Sequence, residues 1–324
     1  MKRCRVFSLF AILVGLVLLP GRDAAQEKSY PAKPITLLVP YGADGNSDQM
    51  ARGLAEAAKK HLRQPIVVVN RPEASGTRAI ADAVSATPDG YTLAWGTVAT
   101  LTVQPQRFKL PYGGPDTYVP VAKLTKEHNV LIVRAGAPWK TAQELLNDAR
   151  ARPGQLSVGV PGFGTVPDLD IEQLQRLGKY RFKIVSFEGP QQVPAAVRGE
   201  VDAAVAGPAA VVSYLKDQKV MMLGVFDSLR LPLAPNVPTF KELGFEVTLG
   251  SGGAIITARG TPGYIVTRLN EAIRKAVAEP SFVSFVEMGG NTIDYEGPAA
   301  LTRELRREYK ENGELIRVLG LTQK

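Results

Sequence analysis

The residues of this chain best suited to bind a small molecule sit in glycine-containing loops between short apolar runs and helical patterns. The first loop, Tyr41-Gly-Ala-Asp-Gly-Asn-Ser-Asp48, follows the apolar run Ile35 to Val39. Gly42 and Gly45 permit close backbone approach and Ser47 can donate a hydroxyl bond. Helix N–H groups without intrahelical acceptors suit an anion such as a carboxylate. Ala43 and Asp44 lie between the glycines, and the Asp44 carboxylate makes a phosphate or bare anion a poor fit. Gly96-Thr-Val-Ala-Thr100 offers further hydroxyls, with Thr97 the expected contact.

Gly162-Phe-Gly-Thr-Val-Pro-Asp168 supplies a third loop, in which Gly162, Phe163, Gly164 and Thr165 are expected to approach the ligand. Thr165 is also the expected N-cap of the following helix, and Asp168 either meets the ligand or completes a capping box with it. Ser186 to Gly189, including Phe187 and Glu188, and Asp202 to Gly207 close the ring. Tyr41, Phe163 and Phe187 could form an apolar wall, with core packing the alternative for Phe187. Asp48 reads as a first-turn helix acid and Asp202 as a structural acid. Arg71, in Asn70-Arg-Pro72, could pair with a carboxylate.

Catalytic chemistry finds little support. His61 and His128 are the only histidines, there is no Gly-x-Ser-x-Gly elbow, and no His or Cys cluster has metal-ligand spacing. The first loop lacks the Lys-Ser/Thr pair of a phosphate-binding P-loop, and a full Gly-x-Gly-x-x-Gly is missing. No enzyme, metal or cofactor is therefore expected. The remaining catalytic alternative is a hydrolase in which acids such as Asp44 and Asp168 face one another.

The elements that must hold these loops alternate between strand and helix, the pattern of an α/β fold with mainly parallel sheets. Strands are expected at Ile35 to Val39, Ile66 to Val69, Thr92 to Trp95, Asn129 to Val133, Leu156 to Val160, Lys183 to Ser186, Ala203 to Val205 and Val220 to Val225. Met50, Leu54, Ala58 and Leu62 mark a helix with Asn46 as N-cap. Thr141 and Glu144 form a capping box for a helix ended by Pro153-Gly154. Nearer the C-terminus, Thr261-Pro262 opens a helix with proline at its first position, and a last helix runs from about Pro298 to Leu319.

Lys2, Arg3 and Arg5 precede an apolar run from Val6 to Leu19, the layout of a signal peptide cleaved near Ala25. The run is short of the roughly 20 residues that span a bilayer. Cys4 would leave with the signal, so the mature chain would contain neither disulfides nor thiol chemistry. The formal charge of +8 falls to about +5 without the first 25 residues. Bases in Arg303-Glu-Leu-Arg-Arg-Glu-Tyr-Lys-Glu311 have acids within helical reach, the pattern of a solvated helix face, and no nucleic-acid partner is expected.

Eight segments together resemble the solute receptors of tripartite tricarboxylate transporters, the Bug family of extracytoplasmic substrate-binding proteins. They are Tyr30-Pro-Ala-Lys-Pro-Ile-Thr-Leu-Leu-Val-Pro40, Gln64-Pro-Ile-Val-Val-Val-Asn-Arg-Pro72, Pro88-Asp-Gly-Tyr-Thr-Leu93, Gly162-Phe-Gly-Thr165, Arg198-Gly-Glu-Val-Asp202, Asn236-Val-Pro-Thr239, Gly260-Thr-Pro262 with Leu269-Asn270, and Leu319-Gly-Leu321. The resemblance implies a two-lobed, type II periplasmic-binding-protein fold with mixed, mostly parallel sheets and flanking helices. Crossings near Asn129 and Gly250 would give one lobe of residues 27–128 plus 250–324 and a second of 129–249.

It further implies a monomeric periplasmic receptor that closes on a small carboxylate and delivers it to a permease of one large and one small membrane subunit. The alternative from a different class is a ligand sensor for a signalling partner. Four positions depart from the family pattern toward acids: Asp44, Glu73, Asp168 and Glu188. A carboxylate about 4 Å from an anionic ligand would repel it by roughly 4 kcal/mol at an effective dielectric near 20. Either these acids meet an amine, amide or hydroxyl of an amino-acid-like ligand, or they are caps and solvent-facing groups.

Overall fold

The computed structural model describes residues 30–43, 45–247 and 251–321. The expected signal segment, Asp44 and the expected crossing at Gly250 lie outside these residues. The strands are β1 (Ile35–Val39), β2 (Ile66–Asn70), β3 (Thr92–Gly96), β4 (Tyr118–Glu127), β5 (Asn129–Arg134), β6 (Ser157–Val160), β7 (Lys183–Ser186), β8 (Ala203–Ala206), β9 (Val220–Phe226), β10 (Ser251–Ala258) and β11 (Thr292–Glu296). The helices are α1 (Asn46–Leu62), α2 (Thr77–Val84), α3 (Gln104–Arg107), α4 (Ala142–Ala151), α5 (Val166–Gly178), α6 (Gln192–Arg198), α7 (Val212–Lys216), α8 (Gly263–Val277), α9 (Pro280–Met288) and α10 (Pro298–Leu319).

Two mixed sheets flanked by helices result. The first has the order β11-β4-β10-β3-β1-β2 and the second β7-β6-β8-β5-β9. Parallel pairing holds in the trios β2-β1-β3 and β7-β6-β8, whereas the remaining pairs are antiparallel. The antiparallel share of the first sheet comes from β4, β10 and β11, three strands that the sequence pattern had not revealed. In β4 the signal is broken by Pro120, which pairs with Ile256 at a register shift in the β4–β10 ladder. Proline is tolerated at such an irregularity because the ladder bond it cannot donate is not required there. In β10, Gly253 is required by packing, since a Cβ there would fall 2.0 Å from the Trp95 indole.

Both faces of the second sheet are covered, which explains the unbroken apolar runs of its strands. Along β5, Leu131 and Val133 pack with Leu145, Leu146, Ile171 and Leu174 on one face. Val130 and Ile132 pack with Val193, Ala196 and Val201 on the other. The chain passes from the first sheet to the second between Glu127 and Asn129, with His128 alone separating β4 from β5.

Local capping differs from the sequence pattern in three places. Gly45 is the N-cap of α1, while Asn46 is its first helical residue and accepts a bond from Asn291 Nδ2 at 2.9 Å. Pro262 is the cap of α8 and the helix begins at Gly263. Thr141 Oγ1 accepts the Glu144 N–H at 3.2 Å, but the Glu144 carboxylate accepts the Lys140 N–H at 2.6 Å, one residue beyond the usual reciprocal partner.

Candidate functional site

A cleft of about 120 Å³ lies where loops of the two sheets meet. From the first sheet, the β1–α1 loop contributes Tyr41, Gly42, Gly45 and Ser47, and the residues after β3 contribute Thr97 and Ala99. From the second, Thr165, Val166 and Pro167 face them at the start of α5. Two helices of 17 and 13 residues therefore direct their N-termini into one space. Neither is capped by the side chain of its own N-cap residue, Gly45 or Thr165. First-turn N–H groups and the positive ends of two helix dipoles suit a carboxylate placed between them.

The side chains of this wall are fixed by one another. The Tyr41 hydroxyl and Thr97 Oγ1 lie 3.2 Å apart, and the Thr97 N–H donates to Thr100 Oγ1 at 3.0 Å. Burial pushes the Tyr41 phenol up to about 12, a rise that the Thr97 hydrogen bond partly opposes, so the wall stays uncharged at neutral pH. Asn70 Nδ2 ties the loop to β2 by donating to the Tyr41 carbonyl and to Asp48 Oδ1, each at 2.9 Å. Asp48 also pairs with Arg52 at 2.9 Å and thus serves as a helix acid, as the sequence indicated.

The floor of the cleft is the crossing between sheets, where Glu127, His128 and Asn129 line the space. His128 is 6 % exposed, and its Nδ1 lies 2.6 Å from Asp227 Oδ2. Asp227 also accepts from Lys126 Nζ at 2.9 Å and from the Ser228 N–H at 2.5 Å. Burial alone would raise this carboxyl, but the His128 and Lys126 bonds and charges hold it well below the usual range. The ionised Asp227 accepts a hydrogen bond from the His128 Nδ1–H, and Nε2 has no hydrogen-bond partner among the described residues. Beside it, Asn129 Nδ2 donates to Asp170 Oδ2 at 2.7 Å, and burial pushes the Asp170 carboxyl well up.

Gln192, the first residue of α6, also lines the cleft and is 2 % exposed. Its Nε2 donates to the Val205 carbonyl at 3.3 Å, whereas Oε1 has no partner among the described residues. Neither His128 nor Gln192 stood out in the sequence as a binding residue. His128 was visible only as a histidine at a crossing, and Gln192 carries no motif.

The expected site residues separate into two groups. Tyr41, Gly42, Gly45, Ser47, Thr97 and Thr165 are brought together around the cleft. Ala43, Gly162, Phe163, Gly164, Asp168, Phe187 and Glu188 do not line it. Ala43, Glu73 and Glu188 are exposed, as is Phe163 at 53 %. Phe187 packs partly buried against the core of the second sheet. Arg71 lies 3.9 Å from Asp82 and does not line the cleft, and Asp202 binds the Ser157 N–H at 2.7 Å and hydroxyl at 2.8 Å, which makes it structural.

Asp168 is turned away from the cleft. Its carboxylate accepts the Gly164 N–H at 2.6 Å and lies 3.7 Å from Arg107 of α3, across from the other sheet. Burial pushes this carboxyl up to about 6, against the lowering effect of the Gly164 bond and the Arg107 charge. The expected capping box with Thr165 does not form, because the Thr165 hydroxyl donates to the Gly162 carbonyl at 2.7 Å instead. Gly164 adopts φ +75°, and a Cβ there would meet Arg107 at 2.5 Å, so glycine permits the close approach of α3.

A larger cavity of about 530 Å³ is lined by Thr97, Lys123, Lys126 and Asp227 together with residues of α10. Its lysines are already paired: Lys123 with Asp294 at 2.8 Å and Glu304 at 2.6 Å, and Lys126 with Asp227 at 2.9 Å. The smaller cleft, into which two helix N-termini converge, is the better-prepared binding site despite its size. Among the described residues no group of His, Cys, Asp and Glu could hold a metal ion.

Comparison with known proteins places this arrangement in context. A family profile described as "Tripartite tricarboxylate transporter family receptor" matches residues 50–321. The "UPF0065 protein in gbd 5'region" of Cupriavidus necator is 33% identical over 275 residues, covering 83% of this chain and 81% of that protein. The structure of MatC from Rhodopseudomonas palustris with bound malate superposes with a TM-score of 0.83 at 29% identity, covering 89% of this chain and 100% of that one. The periplasmic binding protein BugD shares the fold, with a TM-score of 0.85 at 23% identity and coverage of 91% and 100%.

Proposed function

The chain belongs to the tripartite tricarboxylate transporter receptor family, and from that premise we propose that it is an exported receptor for a small organic acid or a related zwitterionic or amide metabolite. Members and structural neighbours are solute-binding receptors, not enzymes, and periplasmic binding proteins are among them. The receptor captures its ligand in the cleft and delivers it to a two-component membrane permease. It acts as a monomer in the periplasm after cleavage of the signal peptide near Ala25. The lobes are residues 27–128 plus 250–324 and residues 129–249, a division supported by the membership of the two sheets.

The observation that carries this reading is the convergence of the α1 and α5 N-termini on one cleft from opposite sheets. A carboxylate held between them contacts both lobes at once, so binding favours the closed arrangement over the open one. The cleft volume is well below the roughly 300–1,000 Å³ of sites for drug-sized ligands, which points to a metabolite of few heavy atoms. Malate, bound by the 29%-identical MatC, is a ligand of suitable size and charge.

A thermal-shift panel of dicarboxylates, hydroxy acids, amino acids and their amides tests the proposal. A ligand at about 100 times its Kd adds roughly 2.7 kcal/mol to stability, which moves the midpoint visibly. No shift with any member of the panel would overturn the reading.

A further inference from the structure

We propose that two clasps between the lobes, one joining α3 to the loop of residues 162–168 and one seating Pro208 and Leu233 on Gly290, hold the closed arrangement without help from a ligand. This inference rests on the two-lobed receptor reading above, although its test needs no ligand. In each clasp the partners come from opposite sides of the proposed division, residues 27–128 plus 250–324 against residues 129–249. None of Gln104, Arg107, Pro208, Leu233 and Gly290 lines the cleft, so the clasps are separate from the binding surface.

The first clasp combines polar and apolar contacts. Gln104 of α3, fully buried, donates from Nε2 to the Gly164 carbonyl at 3.3 Å and to the Phe163 carbonyl at 3.4 Å. Arg107 Nη1 lies 3.7 Å from Asp168 Oδ2, with both side chains largely buried. One residue along from Gln104 and Asp168, Val103 and Leu169 join Ile316 in a single buried apolar cluster to which both lobes contribute. Opening the lobes would expose that cluster and exchange the carbonyl bonds for water, and both changes favour the closed arrangement.

The second clasp is a close fit at a glycine. Gly290 has φ +71°, and a Cβ there would lie 2.5 Å from Pro208 Cβ and would also meet the Leu233 side chain. Gly164 does the same work in the first clasp, since at φ +75° its Cβ would lie 2.5 Å from Arg107 Nη1 and 2.9 Å from Gln104 Nε2. A glycine of one lobe thus admits side chains of the other at two places. Both places adjoin the cleft: Thr165 follows Gly164, Gly207 precedes Pro208, and Asn291, next to Gly290, donates to Asn46. Contacts so placed bias the open and closed populations without touching the ligand, and apparent affinity scales with the closed fraction.

Small-angle scattering of the whole protein without ligand tests the inference. Gly164→Ala and Gly290→Ala each put a methyl group into a clasp. Gly154→Ala is the control, because Gly154 also has φ +75° but its Cβ would meet nothing closer than 3.6 Å. Both clasp variants are expected to show a larger radius of gyration than wild type, and the control to match wild type. Leu233→Ala, at a side chain already 38 % exposed, removes apolar contact from the second clasp without backbone strain and is expected to expand the molecule as well. It decides the question if the glycine variants do not fold. Radii equal to wild type in the folded variants would overturn the inference and leave the organic-acid reading intact, because that reading stands or falls on the ligand panel. An expansion of the control as large as that of the clasp variants would also overturn it, since left-handed backbone strain alone would then account for the change.

Discussion

The wall and the floor of the cleft are polar for opposite reasons. The wall is built from small residues and helix N-termini, with Gly42, Gly45, Ser47 and Thr165 keeping backbone close to the ligand space. The floor is the crossing between sheets, where Glu127, His128 and Asn129 line the space and Asp227 pairs with both His128 and Lys126. Backbone donors need no partner elsewhere in the chain. Buried charges do, because unpaired they would be neutralised or expelled. The wall groups are therefore set by local backbone geometry, whereas His128 on the floor is also tied into the crossing between sheets.

The largest expected effect tests whether the floor is structural. Asp227→Ala strips the partner from His128 and Lys126 in a site 4 % exposed, and a loss of about 3 kcal/mol is expected. Urea unfolding measures it, with the midpoint falling and the slope unchanged. A loss below about 1 kcal/mol would mean that the crossing is held by packing and that the contrast with the wall is false.

Asp168, beside the wall yet charged and buried, sharpens the comparison. Its carboxyl titrates near 6 in the folded protein against an ordinary 3.8. Between those values the folded state retains a proton that the unfolded chain has released, so this group lowers stability as pH rises through the window. Asp168→Asn removes the effect while an amide oxygen can still accept the Gly164 N–H. Relative to wild type, the variant is expected to gain up to about 3 kcal/mol more at pH 7 than at pH 4, read from denaturation at both values. An equal difference at both pH values would show that Arg107 fully compensates the buried charge.

The smallest effect on stability separates the wall from the floor. A Cβ at Gly42 meets no atom within 4 Å, and the residue lines the cleft. Gly42→Val is expected to change unfolding free energy by less than about 0.5 kcal/mol while weakening ligand binding at least tenfold. A large loss of stability with intact binding would assign this loop to the fold instead.

Much of the fold was legible because it is locally encoded. The buried strands of the second sheet announced themselves as apolar runs, and the capping residue Thr141 and the late helix from Pro298 to Leu319 matched their local signals. What was missed had its local signal interrupted. Pro120 disguised β4, and Gly252 and Gly253 disguised β10, because a sheet can accommodate such residues only where a particular neighbour or bulge makes room. The wall residues were equally legible, since a glycine loop before a helix produces donors wherever it folds.

The sequence by itself determined the donor loops, the strands of the second sheet and the family resemblance, because backbone geometry and short-range periodicity fix these within a few residues. Only the tertiary structure decided which groups face the ligand space. His128 and Asp227 are 99 residues apart, yet they pair at 2.6 Å at the crossing between sheets. Asp168 turns toward Arg107 of α3, not the cleft, because that is where a buried carboxylate finds a cation. The direction of a charged or amide side chain depends on partners distant in sequence, and those are set when the two sheets come together.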